Sequence, residues 1–300
     1  MRMARRPRAG IIGAEMPPDR GTGVTDVRQV WIFVVSVLLL SWSFEALIIF
    51  SGGISKFGPL WLIVLMCIPG ALSILLRLIF KSGFADVGFR LGVRRYYAYA
   101  IAVPLLLALL VGLISSALDI RHFSLVTSDA LVRMGVIALS LLGLGVVGAA
   151  GEEIGWRGFL LPRLVNAGAT HPYLATALVW AIWHLPLIAL GGFYRTDSPW
   201  LMALVYGLGI VAMSFLISEL RMRSGSVWVA ATIHAAHNFF FQFAMPALIL
   251  TSPGPRSAWW DMVGGDTGLS VAALYAGAYL VLLRVSRRHE KTTLAATPHN

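Results

Sequence analysis

The chain has 300 residues, of which 58% are hydrophobic and only 13% are charged, and its net charge is +10 at pH 7. A soluble domain carries about a quarter charged residues, so this composition excludes an ordinary soluble protein and indicates one that spans a lipid bilayer. The 24 basic residues lie beside apolar segments instead of forming one patch, which argues against a nucleic-acid partner and is typical of membrane-flanking charges.

Apolar runs of about 20 residues, the length that crosses a bilayer as a helix, recur along most of the chain. They are longer and more continuous than the alternating strands of a membrane barrel, so they predict helices. The predicted fold is all-α, a polytopic integral membrane protein of the plasma (inner) membrane. About eight transmembrane helices are expected, at 29–50, 60–80, 97–118, 131–151, 173–190, 200–218, 226–250 and 268–285.

Lys and Arg concentrate in the two terminal regions and in the predicted loops at 77–96 and 219–225. Because cytoplasmic loops carry an excess of Lys and Arg, eight spans with both termini in the cytoplasm are expected. The predicted organisation is a disordered basic cytoplasmic tail at 1–28, a single transmembrane domain at 29–285 and a cytoplasmic tail at 286–300.

The end of the fourth predicted span is glycine-rich and amphipathic. Gly151 and Gly155 form a small-xxx-small pair, which predicts a seam where a second helix packs closely. The following stretch "IGWRGFLLPRLV" keeps a helical pattern of apolar residues. This pattern would extend the helix beyond residue 151 and bring Glu152 deeper into the protein.

Two glutamates and an arginine interrupt this apolar region, in "AAGEEIGWRGFLLPRL". Charged side chains are costly at membrane depth and usually mark function. Glu153 and Arg157 stand at i, i+4 and are predicted to pair on one helix face. Glu152 is rotated by about 100° from Glu153 and has Trp156 at i+4. It is therefore predicted to be the freer carboxylate and the better candidate for chemistry.

Three histidines lie inside predicted spans, His184 in the fifth and both His234 and His237 in the seventh. His234 and His237, at i, i+3, could share a face that suits a metal ion, whereas His234 and Asn238, at i, i+4, suit an imidazole oriented by an amide. Glu45 in the first span is expected to face water near its outer end and receives no role.

A carboxylate and two imidazoles in an apolar site can activate water. The imidazoles could hold a zinc ion with the carboxylate as third ligand, or they could donate hydrogen bonds to a developing oxyanion. Both routes lead to hydrolysis of a peptide bond, although no H-E-x-x-H or G-x-S-x-G motif is present. The alternatives are a proton-coupled transporter, since buried Glu and His also serve proton pathways, and a non-catalytic membrane scaffold or immunity protein.

Three motifs carry a resemblance to a known family. "EEIGWR" (152–157) resembles an E-E-x-x-x-R motif, "WAIWH" (180–184) resembles F-x-x-x-H with Trp180 in place of Phe, and "HAAHN" (234–238) resembles H-x-x-x-N. In this order they are similar to the type II CAAX prenyl protease and bacteriocin-processing membrane family, over about residues 60–245.

The resemblance implies an intramembrane endopeptidase, with a peptide or a membrane-anchored protein as substrate and the lipid bilayer as its surroundings. It implies that Glu152 is the water-activating base and that Glu153 and Arg157 support it. His184, His234 and Asn238 would complete the site, with the last two binding the oxyanion or polarising the scissile carbonyl.

The cofactor stays open at this point. Members of the family have been described both as metal-dependent and as glutamate-dependent without a catalytic metal. If the enzyme depends on a metal, Glu152, His184 and His234 would be the zinc ligands; otherwise no cofactor is needed. The single Cys67 excludes a zinc cluster built on thiolates.

Overall fold

The computed structural model describes residues 23–56, 59–118, 121–123, 128–194, 196–245, 249–251 and 255–296. Most of the predicted N-terminal tail, residues 1–22, lies outside this part of the chain. The described residues are mainly α-helical. In chain order the helices are α1 (Gly23–Phe50), α2 (Pro59–Phe80), α3 (Arg95–Ala117), α4 (Ser128–Gly155), α5 (Leu161–Asn166), α6 (Pro172–Leu190), α7 (Pro199–Ser224), α8 (Val227–His237), α9 (Pro255–Gly264) and α10 (Leu269–Ala296).

Short segments of other structure interrupt the helices. A π-helical turn, Trp156–Leu160, joins α4 to α5, and a second, Asn238–Ala244, continues α8. Ile54–Lys56 form a 3-10 turn. Two strands, β1 (Arg121–Phe123) and β2 (Ile249–Thr251), pair in antiparallel register with His122 opposite Leu250. This small ladder is the one departure from the predicted all-α class within the described residues.

Helices long and apolar enough to cross a membrane make this an integral membrane protein. In the described part of the chain they are Thr25–Phe50, Leu60–Phe80, Arg95–Ala117, Pro172–Leu190, Pro199–Ser224 and Trp260–Arg287. Six of the eight predicted spans are thus confirmed, and those predicted at 131–151 and 226–250 are not among them. In the second case α8 has only 11 residues before the backbone becomes π-helical, whereas a spanning helix needs about 20.

Several predicted boundaries are wrong. α1 begins at Gly23 and α10 runs to Ala296, so both extend into the segments predicted as tails. The loop predicted at 219–225 is helical as far as Ser224. Arg221, expected in that loop, is buried on α7 and donates hydrogen bonds from Nη2 to the carbonyls of Asp86 and Val87, at 2.8 and 3.1 Å. This arginine near a span end therefore contacts the protein instead of solvent.

Local sequence signals explain how α6, α7 and α8 begin and end. Pro172 and Pro199 occupy the first turns of α6 and α7, where a missing N–H costs no helical hydrogen bond. Gly225 ends α7 with a φ of 68°, a left-handed conformation that glycine adopts readily. Ser226 then caps α8, because its side chain accepts a hydrogen bond from the Trp228 amide at 3.2 Å. This tight turn brings α8 back beside α7.

The predicted glycine seam is confirmed between α2 and α4. A Cβ atom on Gly151 would lie 2.8 Å from Cα of Cys67, and one on Gly155 would lie 2.7 Å from the carbonyl carbon of Pro69. Only glycine allows two backbones to approach this closely. Since α4 continues through the π-turn into α5, Glu152 lies inside a long helical segment, as the continuing apolar pattern indicated.

A cluster of polar side chains, here called the Asp86 cluster, binds several helix ends together. The Asp86 carboxylate accepts hydrogen bonds from Arg77 at 2.6 Å and from Arg163 at 2.5 Å. Arg77 also donates to the carbonyl of Gly158 at 2.7 Å, and Nε of Arg163 donates to Gln29 at 2.7 Å. Burial would raise the pKa of Asp86, but the hydrogen bonds and charges of the two arginines outweigh it and hold that pKa below its ordinary value.

Candidate active site

The Glu152 carboxylate lies in the interior with only 1% of the residue exposed. Its Oε2 atom accepts two indole hydrogen bonds, from Nε1 of Trp180 at 2.6 Å and from Nε1 of Trp156 at 3.2 Å. No hydrogen bond to Oε1 is formed by the residues that the structure describes. Glu152 was predicted to be the freer carboxylate because Trp156 stands at i+4, but the indole of Trp156 is itself a donor to it.

Glu153 pairs with Arg157 as predicted, and this ion pair reaches further than the sequence indicated. Nη1 of Arg157 lies 2.9 Å from Oε1 of Glu153, and both residues are fully buried. Nη2 of Arg157 donates to Oγ of Ser214 at 2.8 Å. The same Oε1 atom of Glu153 lies 3.0 Å from Nδ1 of His234. Because a carboxylate oxygen accepts, His234 donates from Nδ1 and its ring is oriented by Glu153.

His184 is oriented by its own helix. Its Nδ1 atom lies 2.8 Å from the carbonyl oxygen of Trp180, which can only accept, so Nδ1 carries the hydrogen. In the neutral ring Nε2 is then a hydrogen-bond acceptor. The imidazole packs against the rings of Trp183 and Tyr206, at 4.6 and 5.2 Å between centroids. These contacts hold the ring in one direction.

A cavity of about 100 Å³ brings four of the predicted site residues together. Glu152, His184, His234 and Asn238 all line it, and they come from α4, α6, α8 and the π-helical turn that follows α8. Glu153 and Arg157 are not among the lining residues and contact the site from behind, through His234 and Trp180. Most of the remaining wall is apolar, with Leu62, Leu65, Met66, Ile188, Ile210 and Met213.

The described residues do not fit a preformed metal centre. Among them, no three His, Cys, Asp or Glu side chains are grouped so that they could hold an ion. Within the conditional ligand set of Glu152, His184 and His234, hydrogen bonds of the protein engage Oε2 of Glu152 and Nδ1 of both histidines. Because no group of three ligands is found among the described residues, the reaction proposed for this site uses no metal.

The central part of the chain matches the model of a known protein family. Residues 134–240 match the family model described as type II CAAX prenyl endopeptidase, Rce1-like. This range contains all six predicted site residues, so the resemblance inferred from the three motifs is confirmed over a shorter stretch than the expected 60–245. No curated protein matches the chain. Residues 134–240 are called the Rce1-like segment below.

Three residues of the Rce1-like segment contribute to the site without having been predicted to do so. The indoles of Trp180 and Trp156 donate hydrogen bonds to Glu152, and the hydroxyl oxygen of Ser214 accepts one from Arg157. The i+4 spacing of Glu152 and Trp156 was a usable local signal for one of these contacts. Trp180 stood in a motif position, where its indole N–H distinguishes it from the family's Phe. Nothing in the sequence of α7 singled out Ser214.

His237 also lines the cavity, although the motifs leave it out. Its Nδ1 atom lies 3.0 Å from the hydroxyl of Tyr275 on α10, and the two rings meet edge to face. The interpretation of His234 and His237 as a metal-binding pair is not supported, because no group of three ligand side chains is found among the described residues. The alternative, that His234 and Asn238 act on one face, agrees with their shared position on the cavity wall.

Proposed function

We propose that the protein is an intramembrane endopeptidase that hydrolyses a peptide bond with water activated by Glu152. The observation that carries this proposal is that the Glu152 carboxylate shares one small, mostly apolar cavity with His184, His234 and Asn238. The match of the Rce1-like segment to an endopeptidase family supports the same reaction. A peptide or a membrane-anchored protein is the substrate.

Glu152 is suited to accept a proton from water. Its Oε2 is held by two neutral indole donors, and a water molecule bound to Oε1 would lie in the cavity. No guanidinium or ammonium group donates to this carboxylate within the described residues, so the group is oriented without being neutralised. His184 offers Nε2 as a second acceptor on the same wall. The water would donate one hydrogen bond to each, which directs its lone pair at the substrate.

The reaction then follows the usual course of acyl transfer to water. Glu152 takes one proton while the water oxygen bonds to the scissile carbonyl carbon, and the C=O π electrons move to the carbonyl oxygen. His234, whose Nδ1 donates to Glu153, and the amide of Asn238 line the cavity and stabilise the oxyanion. Collapse breaks the C–N bond, and Glu152 returns its proton to the leaving amine.

The experiment compares Glu152→Gln with a matched control, Glu219→Gln. Glu219 is another buried carboxylate of the Rce1-like segment, but it bonds Tyr173 and Arg223 and does not line the cavity. Removing a general base typically costs about 10²–10⁴-fold in rate. We expect that loss for Glu152→Gln with an unchanged fold, and a rate within about threefold of wild type for Glu219→Gln, which touches no reacting group.

Substrates for this test are membrane-anchored peptides with apolar sequences, in versions with and without a prenylated C-terminal cysteine, and mass spectrometry locates the cut. Wild-type turnover by Glu152→Gln would remove Glu152 as the base. A folded wild-type protein that cleaves no peptide would favour the scaffold or transporter alternatives. From the Lys and Arg distribution we further propose a plasma (inner) membrane location with both termini in the cytoplasm.

A further inference from the structure

A second set of buried polar groups lies where α1 meets α6, apart from the charged residues around Glu152. Glu45 and Ser41 on α1 are both 0% exposed, and Trp183 on α6 is 2% exposed. The expectation that Glu45 faces water is therefore wrong. Three atoms, Oγ of Ser41, Oε1 of Glu45 and Nε1 of Trp183, are buried without a hydrogen-bond partner among the residues the structure describes.

Glu45 makes one specific contact with the backbone of α6. Its Oε2 atom accepts a hydrogen bond from the Leu187 amide at 3.2 Å. Leu187 directly follows Pro186, which lacks an N–H and therefore interrupts the helical hydrogen bonds of α6 at this turn. Glu45 thus binds the backbone of α6 at the turn where Pro186 removes one of the helical hydrogen bonds.

A second contact sets the relative direction of the two helices. The amide of Ile54, just beyond α1, donates to the carbonyl of Gly191, just beyond α6, at 3.0 Å. The Ile54–Gly191 contact lies nearer the C-terminal end of both helices than the Glu45–Leu187 contact, so α1 and α6 run parallel here. One turn back from Glu45 and Leu187 are Ser41 and Trp183, which therefore fall at the same level. These four residues are called the Glu45 layer.

Packing alone does not account for this layer. A polar group buried without a hydrogen-bond partner costs free energy, and apolar side chains of similar size would fill the same contact at no such cost. A buried carboxylate inside a membrane-spanning helix is expensive and usually functional. The Glu45 layer is therefore expected to act on something next to it.

The neighbouring group is His184. The indole of Trp183 meets the His184 imidazole edge to face, with 4.6 Å between ring centroids. Trp183 and Leu187 also line the cavity that contains His184. The turn of α6 that holds the imidazole thus carries two residues, Trp183 and Leu187, that belong both to the Glu45 layer and to the cavity wall.

We propose that Glu45 is a positioning residue for the reaction. By binding the Leu187 amide it fixes the turn around Pro186, and this turn sets the direction in which His184 presents Nε2 to the cavity. The inference rests on the proposed function for its kinetic consequence, but its structural content concerns only Glu45, α6 and the His184 ring.

The kinetic experiment uses Glu45→Leu, which removes the acceptor, and Glu45→Gln, whose amide oxygen can still accept from Leu187. Glu219→Leu is the control for loss of a buried carboxylate elsewhere. A misplacement of about 1 Å can cost about 10²-fold in rate. We therefore expect Glu45→Leu to lower kcat by about 10–100-fold with KM within about twofold, and Glu45→Gln to keep at least about a third of the wild-type kcat.

Two kinetic results would overturn the inference. One is a wild-type kcat in folded Glu45→Leu, which would reduce Glu45 to a contributor to stability like the Glu219 control. The other is a Glu45→Gln variant as slow as Glu45→Leu, because the hydrogen bond to Leu187 would then not be the relevant contact.

A spectroscopic readout separates this inference from the proposed function. In protein labelled with ¹⁵N-histidine, the ring signals assigned to His184 by their loss in His184→Gln should shift in Glu45→Leu and return in Glu45→Gln. Unshifted signals refute the positioning role whether or not any peptide is cleaved. If Glu45→Leu does not fold, Ser41→Ala takes its place: the indole Nε1–H signal of Trp183 should shift, and an unchanged signal refutes the shared layer.

Discussion

Two carboxylates of this protein, the half-buried Asp86 and the fully buried Glu152, are held in opposite ways. Asp86 accepts hydrogen bonds from two arginines, Arg77 and Arg163, whose remaining N–H groups bond to backbone carbonyls and to Gln29. Within the described ranges, the groups that donate to Glu152 are the neutral indoles of Trp156 and Trp180. The first carboxylate is neutralised where helix ends meet, and the second is oriented without an opposite charge donating to it.

This difference separates a carboxylate with a structural role from the one that is proposed to act as the base. A guanidinium partner stabilises the ionised form and removes its tendency to take a proton, as the lowered pKa of Asp86 illustrates. An indole donor fixes the direction of the carboxylate but contributes no charge. Glu153 is intermediate, because it is neutralised by Arg157 and also orients His234.

The largest effect is expected for Glu153→Gln, which breaks the Glu153–Arg157 ion pair behind the cavity. Arg157 would remain buried without a compensating charge, and breaking such a pair typically costs about 3–5 kcal/mol. His234 would also lose the carboxylate that accepts from its Nδ1 and orients its ring. We expect a clear loss of thermal stability in detergent together with a loss of peptide cleavage.

The matched control is Glu219→Gln, which breaks a second Glu–Arg pair at i, i+4. The Glu219–Arg223 pair is less buried, with side-chain exposures of 11% and 23%, so less desolvation is left uncompensated when it is broken. The thermal midpoint of Glu219→Gln should therefore fall less than that of Glu153→Gln. If Glu153→Gln were fully stable and yet inactive, Glu153 would have to take a direct part in the reaction, as is proposed for Glu152, instead of supporting the site.

The next effect is expected for Trp180→Phe, which introduces the residue typical of the family motif. It keeps a ring under Arg157 but removes the donor 2.6 Å from Glu152, leaving Trp156 as the remaining donor to Oε2. A hydrogen bond to a charged group contributes about 1.5–3 kcal/mol, so the cleavage rate should fall by about 10–100-fold.

Trp228→Phe controls for the loss of an indole N–H away from the cavity, since Trp228 donates to the carbonyl of Phe89. Its cleavage rate should stay close to that of wild type. Cleavage by Trp180→Phe at the wild-type rate would show that the indole hydrogen bond to Glu152 does not contribute, and the comparison with Asp86 would lose its basis.

The smallest effect is expected for Asp86→Asn, which acts on stability alone. Arg77 and Arg163 keep their carbonyl and Gln29 acceptors, and Asp86 is 20% exposed, so the loss should be about 1–2 kcal/mol. Because the folded pKa of Asp86 lies below its ordinary value, its contribution is complete above about pH 4 and is lost as pH falls through the folded pKa.

Thermal midpoints measured from neutral to acidic pH check this sign. The gap between wild type and Asp86→Asn should be widest near neutrality and should close as pH falls, while Asp197→Asn, at an exposed loop position, should match wild type throughout. A gap that grows on acidification would contradict the assignment of Asp86 as a carboxylate stabilised by arginines.

Patterns within single helices were sufficient to predict three features of the structure: the spans, one ion pair and the glycine seam. Six spans follow from runs of apolar residues, because burial in a bilayer demands a continuous apolar helix of fixed length. The Glu153–Arg157 pair follows from its i, i+4 spacing, because the helix itself brings these side chains together. The glycine seam follows likewise from small residues one turn apart.

Only the tertiary structure decided the contacts that make these residues a site. Trp180 reaches Glu152 across 28 residues, His234 reaches Glu153 across 81, and Glu45 reaches the amide of Leu187 across 142. Such contacts depend on how whole helices pack, and no spacing within one helix encodes them. The sequence determined which residue types stand at membrane depth, whereas packing decided that Glu152 would meet indoles and Asp86 would meet arginines.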